Sequence, residues 1–144
     1  MSQNIPKFLF LDDIRVPYTV FEYTGLNFYF SNNHWHIVRN YEQFVQYIEQ
    51  NGLPEFISFD HDLADSHYTP PHLWDDYEAS KKWQDEQVHT EKTGYDCAMF
   101  LVEYCVQNKN KIPNWYTHSL NPVGKDKIDN LMRTARDRYN FVNQ

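Results

Sequence analysis

Three short apolar runs in this chain each end in a cluster of acidic or imidazole side chains. Phe8-Leu9-Phe10-Leu11 leads into Asp12-Asp13, Phe56-Ile57-Ser58-Phe59 into Asp60-His61-Asp62, and Trp115-Tyr116-Thr117 into His118-Ser119. Short apolar runs separated by helical patterns read as parallel strands buried on both faces. In an open parallel sheet the functional crevice lies outside the carboxyl ends of the strands. The pattern therefore gathers Asp12, Asp13, Asp60, Asp62, His61 and His118 at one sheet edge. His36-Ile37-Val38 reads as a further short strand.

Between the strands lie helical signals. Asn40 caps a helix running to about Gln50, with Asn51-Gly52 as its stop. Thr93-Gly94-Tyr95-Asp96 opens another, with Asp96 placed to complete a capping box, and Ala98, Leu101, Val102 and Cys105 follow at helical spacing. Asn121-Pro122 reads as an N-cap and a first-turn proline, ahead of an apolar face of Ile128, Leu131, Met132, Ala135, Tyr139 and Val142. Two segments interrupt the alternation. Residues 18–35, rich in aromatics with turn signals at Gly25 and Asn32-Asn33, read as a hairpin or elaborated loop. Residues 64–92 read as an acidic insertion with Pro70-Pro71 and a short helix from Asp75 to Val88. The expected fold class is α/β: a three-layer sandwich with a short parallel sheet, strand order 2-1-3-4 and two insertions, in a single domain over 1–144.

Charge narrows the partners. The net charge of −7 is local: residues 60–91 hold nine acids and two bases, and the rest holds eleven of each. That is not the footprint of a protein gripping long duplex nucleic acid. It allows a small phosphate ligand where a metal or local bases bridge the charge. Four glycines form no phosphate-cradling motif. No apolar stretch approaches the roughly 20 residues of a membrane span, and the polar Met1–Lys7 segment does not read as a signal peptide. Cys97 and Cys105, eight apart in one expected helix, read as buried thiols of a reducing cytoplasm. Oligomeric state is left open.

The clustered groups suit phosphate chemistry. Asp12, Asp13, Asp60 and Asp62 offer hard oxygen ligands, for which Mg²⁺ or Mn²⁺ is the natural counter-ion. His118 suits a general acid or base. Ser119 and the backbone N–H groups from Asn121 to Gly124 form a helix-start anion site, with Lys125 and Arg15 as nearby bases. Each piece also has a structural reading. Asp12 or Asp13 can cap a turn, Asp96 can serve only its capping box, and a lone histidine is often just hydrogen-bonded. The aromatics of 18–35 read first as packing. Co-location at three strand ends favours a joint site.

Four segments carry a resemblance: residues 9–17 (LFLDDIRVP), 58–63 (SFDHDL), 93–96 (TGYD) and 118–124 (HSLNPVG). In this order they resemble the cyclic-phosphate processing receiver domain family of bacteria and bacteriophages. The resemblance implies a receiver-like (CheY-like) fold and a role with cyclic-phosphate RNA ends in RNA repair. By likeness to response-regulator receivers it implies Asp12 and Asp13 as metal ligands and Asp60 as the acceptor-like carboxylate. A receiver's later Lys-Pro and fifth strand have no match here, which argues against phosphoacceptor signalling at Asp60.

The leading expectation is a metal-dependent phosphoesterase opening a cyclic phosphate, on a cyclic nucleotide or a 2′,3′-cyclic RNA 3′ end. Asp12, Asp13 and Asp60 would hold Mg²⁺ or Mn²⁺, His118 would move the proton, and His61 or Asp62 would be its partner. Arg15, Ser119, Asn121, Gly124 and Lys125 would hold phosphate. The alternative is a non-catalytic receiver-like module that binds a nucleotide or protein partner.

Overall fold

The computed structural model describes residues 8–31, 34–63, 72, 75–86 and 92–140, with the side chains of residues 30, 31 and 83–86 left aside. In chain order the elements are β1 (Phe8–Leu11), α1 (Pro17–Thr24), α2 (Asn27–Ser31), β2 (Trp35–Val38), α3 (Tyr41–Asn51), β3 (Phe56–Phe59), α4 (Tyr77–Glu86), α5 (Gly94–Asn108), β4 (Asn114–Thr117) and α6 (Pro122–Ala135). A π-helical turn, Arg136–Asn140, extends α6. The four strands are parallel in the order β2-β1-β3-β4, as the sequence suggests.

Alternation along the strands divides the core into two. Leu9 and Leu11 of β1 and Ile57 and Phe59 of β3 join Phe44 and Ile48 of α3, Leu101 of α5, and Ile128 and Met132 of α6. Phe10 faces the other way, with Val20 of α1 and Tyr29 of α2, against Trp35, Ile37 and Tyr116. Strands with apolar groups on both faces need cover on both, which explains the three layers.

The helix signals hold where capping chemistry is explicit. The Asn40 side chain accepts from Gln43 N at 2.8 Å. Thr93 and Asp96 form the reciprocal capping box of α5. Asn121 caps α6 through Gly124 N at 3.1 Å, with Pro122 in the first turn. Cys97 and Cys105 are buried free thiols.

One expectation is corrected. The described part of residues 18–35 is helical rather than a hairpin or loop: it holds most of α1, all of α2 and the first residue of β2. Pro17 stands in the first turn of α1, and Gly25 closes it in the left-handed region (φ 72°), donating its N–H to Phe21 O at 2.8 Å. The aromatics serve as the apolar face of this pair, covering the side of the sheet that α3, α5 and α6 leave open. In the acidic segment the described helix is α4, whose first turn is capped by Asp76. Pro70-Pro71, His67, His89, Val88 and Val142 lie outside the described residues.

The start of α5 is seated directly on the end of β3. Gly94 N donates to His61 O at 2.8 Å, and a Cβ added at Gly94 would stand 1.8 Å from the Asp60 carbonyl oxygen. That neighbour is backbone and cannot swing away. Gly94→Ala is expected to cost about 3 kcal/mol or more, read as a lower urea midpoint. An unchanged midpoint would mean that the helix start is not held against β3.

Candidate functional site

The site is a continuation of the sheet register. Leu11, Phe59 and Thr117 lie side by side as the last residues of β1, β3 and β4. The ladder runs one step further: Asp60 N donates to Leu11 O at 3.0 Å and His118 N to Phe59 O at 2.9 Å. The next residues, Asp12, Asp60 and His118, therefore form one row on one face. Neighbouring strands are about 4.8 Å apart, and one ligand atom from each of these three residues lies within 4.8 Å of the others. All three side chains are buried.

Asp12 divides its two oxygens between two jobs. Oδ1 caps the following turn, accepting from Ile14 N at 2.9 Å and Arg15 N at 2.8 Å. Oδ2 faces the row, bonded to His118 Nε2 at 2.9 Å and to the Arg15 guanidinium at 3.3 Å. The turn-capping reading of Asp12 is met by Oδ1, which leaves Oδ2 to face the row. Burial alone would raise its pKa, but the bonds from His118, Arg15 and Ile14 outweigh burial and bring it to about 2. Arg39 anchors the same turn by donating to the carbonyls of Asp12 (3.1 Å) and Arg15 (2.6 Å).

Asp60 has the opposite environment. Oδ1 accepts from His61 N at 2.9 Å, whereas Oδ2 is buried with no hydrogen-bond partner among the described residues. Burial, then the charges of Asp12 and Asp62, drive its pKa well above the ordinary carboxylate value. Two buried carboxylates beside one guanidinium leave an excess negative charge when both ionise. A buried carboxylate oxygen without a partner is costly, and a cation between Asp60, Asp12 and His118 would relieve it.

The His118 ring is enclosed and bonded at both nitrogens. Nδ1 meets Ser58 Oγ at 2.6 Å, Ser58 Oγ meets Tyr29 Oη, and Nε2 meets Asp12. The ring stacks on Phe10 at 4.7 Å with an interplanar angle of 1°. Burial lowers its pKa, partly offset by Asp12. Tyr23 of α1 donates to the His118 carbonyl at 2.6 Å.

The residue after Asp60, His61, carries a second imidazole. His61 Nδ1 bonds Asp62 Oδ1 at 2.8 Å, and the Asn121 amide donates to both Asp62 oxygens at 3.1 and 3.3 Å. A Cβ on Gly124 would stand 2.3 Å from His61 Cγ, so a glycine in the first turn of α6 makes room for the ring.

The other expected site residues separate by contact. Arg15 reaches the Asp12 carboxylate, and its side chain is 24% exposed. Asp13 is half-buried and outside the three-residue group, consistent with alternation turning it away from Asp12. Ser119 Oγ accepts from Asn121 N at 3.1 Å. Lys125 donates to Thr117 O at 2.9 Å and pairs with Asp129 at 3.4 Å. Sequence reasoning missed Ser58, Tyr29, Tyr23 and Arg39. A polar residue inside the apolar run of β3 was the available signal for Ser58; the others depend on where α1, α2 and the end of β2 pack.

The family described as the cyclic-phosphate processing receiver domain matches residues 7–134 of this sequence, and the chain belongs to it. No curated protein and no solved structure matches significantly. Among the described residues no helix is long and apolar enough to cross a membrane.

The two carboxylates should respond oppositely to pH and mutation. Asp12 is lowered from 3.8 to about 2, so its stabilisation is full above about pH 4 and is lost as pH falls toward 2. The shift corresponds to about 2 kcal/mol. Urea titrations across that window should show this loss in the natural protein and not in Asp12→Asn; equal losses would contradict the assignment. Asp60 is raised, so stability falls as pH climbs from the ordinary carboxylate value toward its folded pKa, and the full cost stands above that. Asp60→Asn is expected to raise the metal-free melting temperature at pH 8 by a few degrees. A fall would show that Asp60 is not strained by burial.

Proposed function

We propose that this protein hydrolyses a cyclic phosphate, on a cyclic nucleotide or a 2′,3′-cyclic RNA end, at the row formed by Asp12, Asp60 and His118. The observation that carries the reading is the buried Oδ2 of Asp60, without a partner among the described residues, beside the fixed Asp12–His118 pair. These three residues would hold Mg²⁺ or Mn²⁺. A divalent ion supplies charge neutralisation and polarisation of the phosphate. The imidazole nitrogen in the set suits Mn²⁺ better than Mg²⁺, which prefers an all-oxygen shell.

The chain's own residues supply the rest. Arg15, held by Asp12 and partly open to solvent, is the cation placed to meet a phosphate oxygen. The expectation that His118 moves the proton does not suit an imidazole whose side chain is 0% exposed and bonded at both nitrogens. We assign that task to His61. Asp62 fixes its Nδ1, Asn121 fixes Asp62, and Nε2 lies on the ring edge away from Gly124. An aspartate that orients a histidine is the usual support for proton transfer. In the reaction a water oxygen bonds to phosphorus, and one ring P–O bond breaks. The water's proton leaves through a base, and the departing sugar oxygen takes a proton.

The test is turnover of 2′,3′-cyclic mononucleotides with Mg²⁺ or Mn²⁺, followed by phosphorus NMR. The natural protein should form the monophosphate. Asp60→Asn and His61→Ala should each lose at least about a hundredfold in rate. No product from any cyclic phosphate, or full rates in both variants, would contradict the proposal. Tight binding without product would instead support a binding module.

A further inference from the structure

The Tyr29–Ser58–His118–Asp12 chain has a direction that hydrogen-bond chemistry fixes. Asp12 Oδ1 accepts from two backbone N–H groups and Oδ2 accepts from the Arg15 guanidinium, so Oδ2 accepts again at His118, whose proton sits on Nε2. Nδ1 then accepts from the Ser58 hydroxyl, and Ser58 Oγ accepts from the Tyr29 hydroxyl. In this arrangement Nε2 has no lone pair to offer a cation. A metal-binding His118 must instead carry its proton on Nδ1.

We propose that Tyr29 and Ser58 are positioning residues that let His118 exchange one arrangement for the other. The inference rests on the metal reading of the Asp12–Asp60–His118 row. Hydroxyls serve equally as donors and acceptors. When Nδ1 carries the proton it donates to Ser58 Oγ, and Ser58 turns its hydrogen toward Tyr29 Oη. Each hydroxyl only rotates about its C–O bond. The imidazole gives up one proton at Nε2 and takes one at Nδ1 by exchange with solvent, so its charge is unchanged.

The surroundings favour a relay of rotating hydroxyls over movement of the ring. Phe10 stacks on His118, Tyr29 approaches the ring edge-on at 6.4 Å, and Trp35 stacks on Tyr29 at 5.3 Å. Ser58 and Tyr29 are 0% and 2% exposed, so water is a poor substitute for either hydroxyl. Ser58 interrupts an otherwise apolar strand, and Tyr29 carries its hydroxyl deep into an aromatic cluster. Packing alone would be served by apolar residues at both positions.

The experiment combines ¹⁵N-histidine NMR with calorimetric titration of Mn²⁺ and Zn²⁺, the latter diamagnetic and suited to the spectra. The metal-free protein should show the His118 proton on Nε2, and the Zn²⁺-loaded protein on Nδ1. Tyr29→Phe keeps the ring and removes one oxygen. It and Ser58→Ala should bind both ions about 10- to 100-fold more weakly, with the metal-free Tyr29→Phe tautomer unchanged. A loaded protein that keeps the proton on Nε2 overturns the relay. So does Tyr29→Phe binding both ions as tightly as the natural protein while Asp60→Asn binds neither. If the natural protein binds neither ion, the metal reading itself fails, and the relay with it.

Discussion

The structure turns on one shared register. Three adjacent parallel strands end at the same level, and the ladder continues for one more residue on each. Strand spacing and side-chain alternation then place Asp12, Asp60 and His118 in a single buried row. Apolar residues just before the row anchor it, since Leu11 and Phe59 are 0% exposed. Close packing keeps the three groups together even though two of them repel when ionised.

The two faces of the sheet contribute differently. On one, α3, α5 and α6 build the larger core and bring their capped first turns close to the strand ends. Gly94 and Gly124 allow α5 and α6 to press on Asp60 and His61. On the other, α1 and α2 bring Tyr23 and Tyr29 under His118. His118 is therefore held from beneath, while His61 is held from the side by Asp62 and Asn121. The two imidazoles at this rim differ in setting: both nitrogens of His118 are bonded to buried groups, and His61 is oriented through Nδ1.

Much of this was legible in the sequence. The runs ending in Asp12, Asp60 and His118 located the row, and Asn40, Thr93 and Asn121 located three helix starts through side-chain chemistry. The α1–α2 pair was not legible. Tyr18, Phe21 and Tyr23 are modest helix formers, so Gly25 reads as a turn without the helix it closes, and Pro17 goes unread as that helix's first turn. Nor could adjacency decide between Asp12 and Asp13, because the choice depends on the sheet face each occupies. The hydroxyl chain was the least accessible. Ser58 and Tyr29 meet across 29 residues only because α2 packs under β3. The phosphate-site expectation at Ser119, Asn121 and Lys125 followed from a helix start, yet those side chains are engaged with neighbouring groups.

On the proposed reading, Asp12, Asp60 and His118 share one cation. Anomalous diffraction from crystals soaked in Mn²⁺ addresses this most directly. The expected result is a single strong peak bonded to both carboxylates and to His118 Nε2. Ions found only on surface acids, with the row still closed by the direct Asp12–His118 bond, would contradict it.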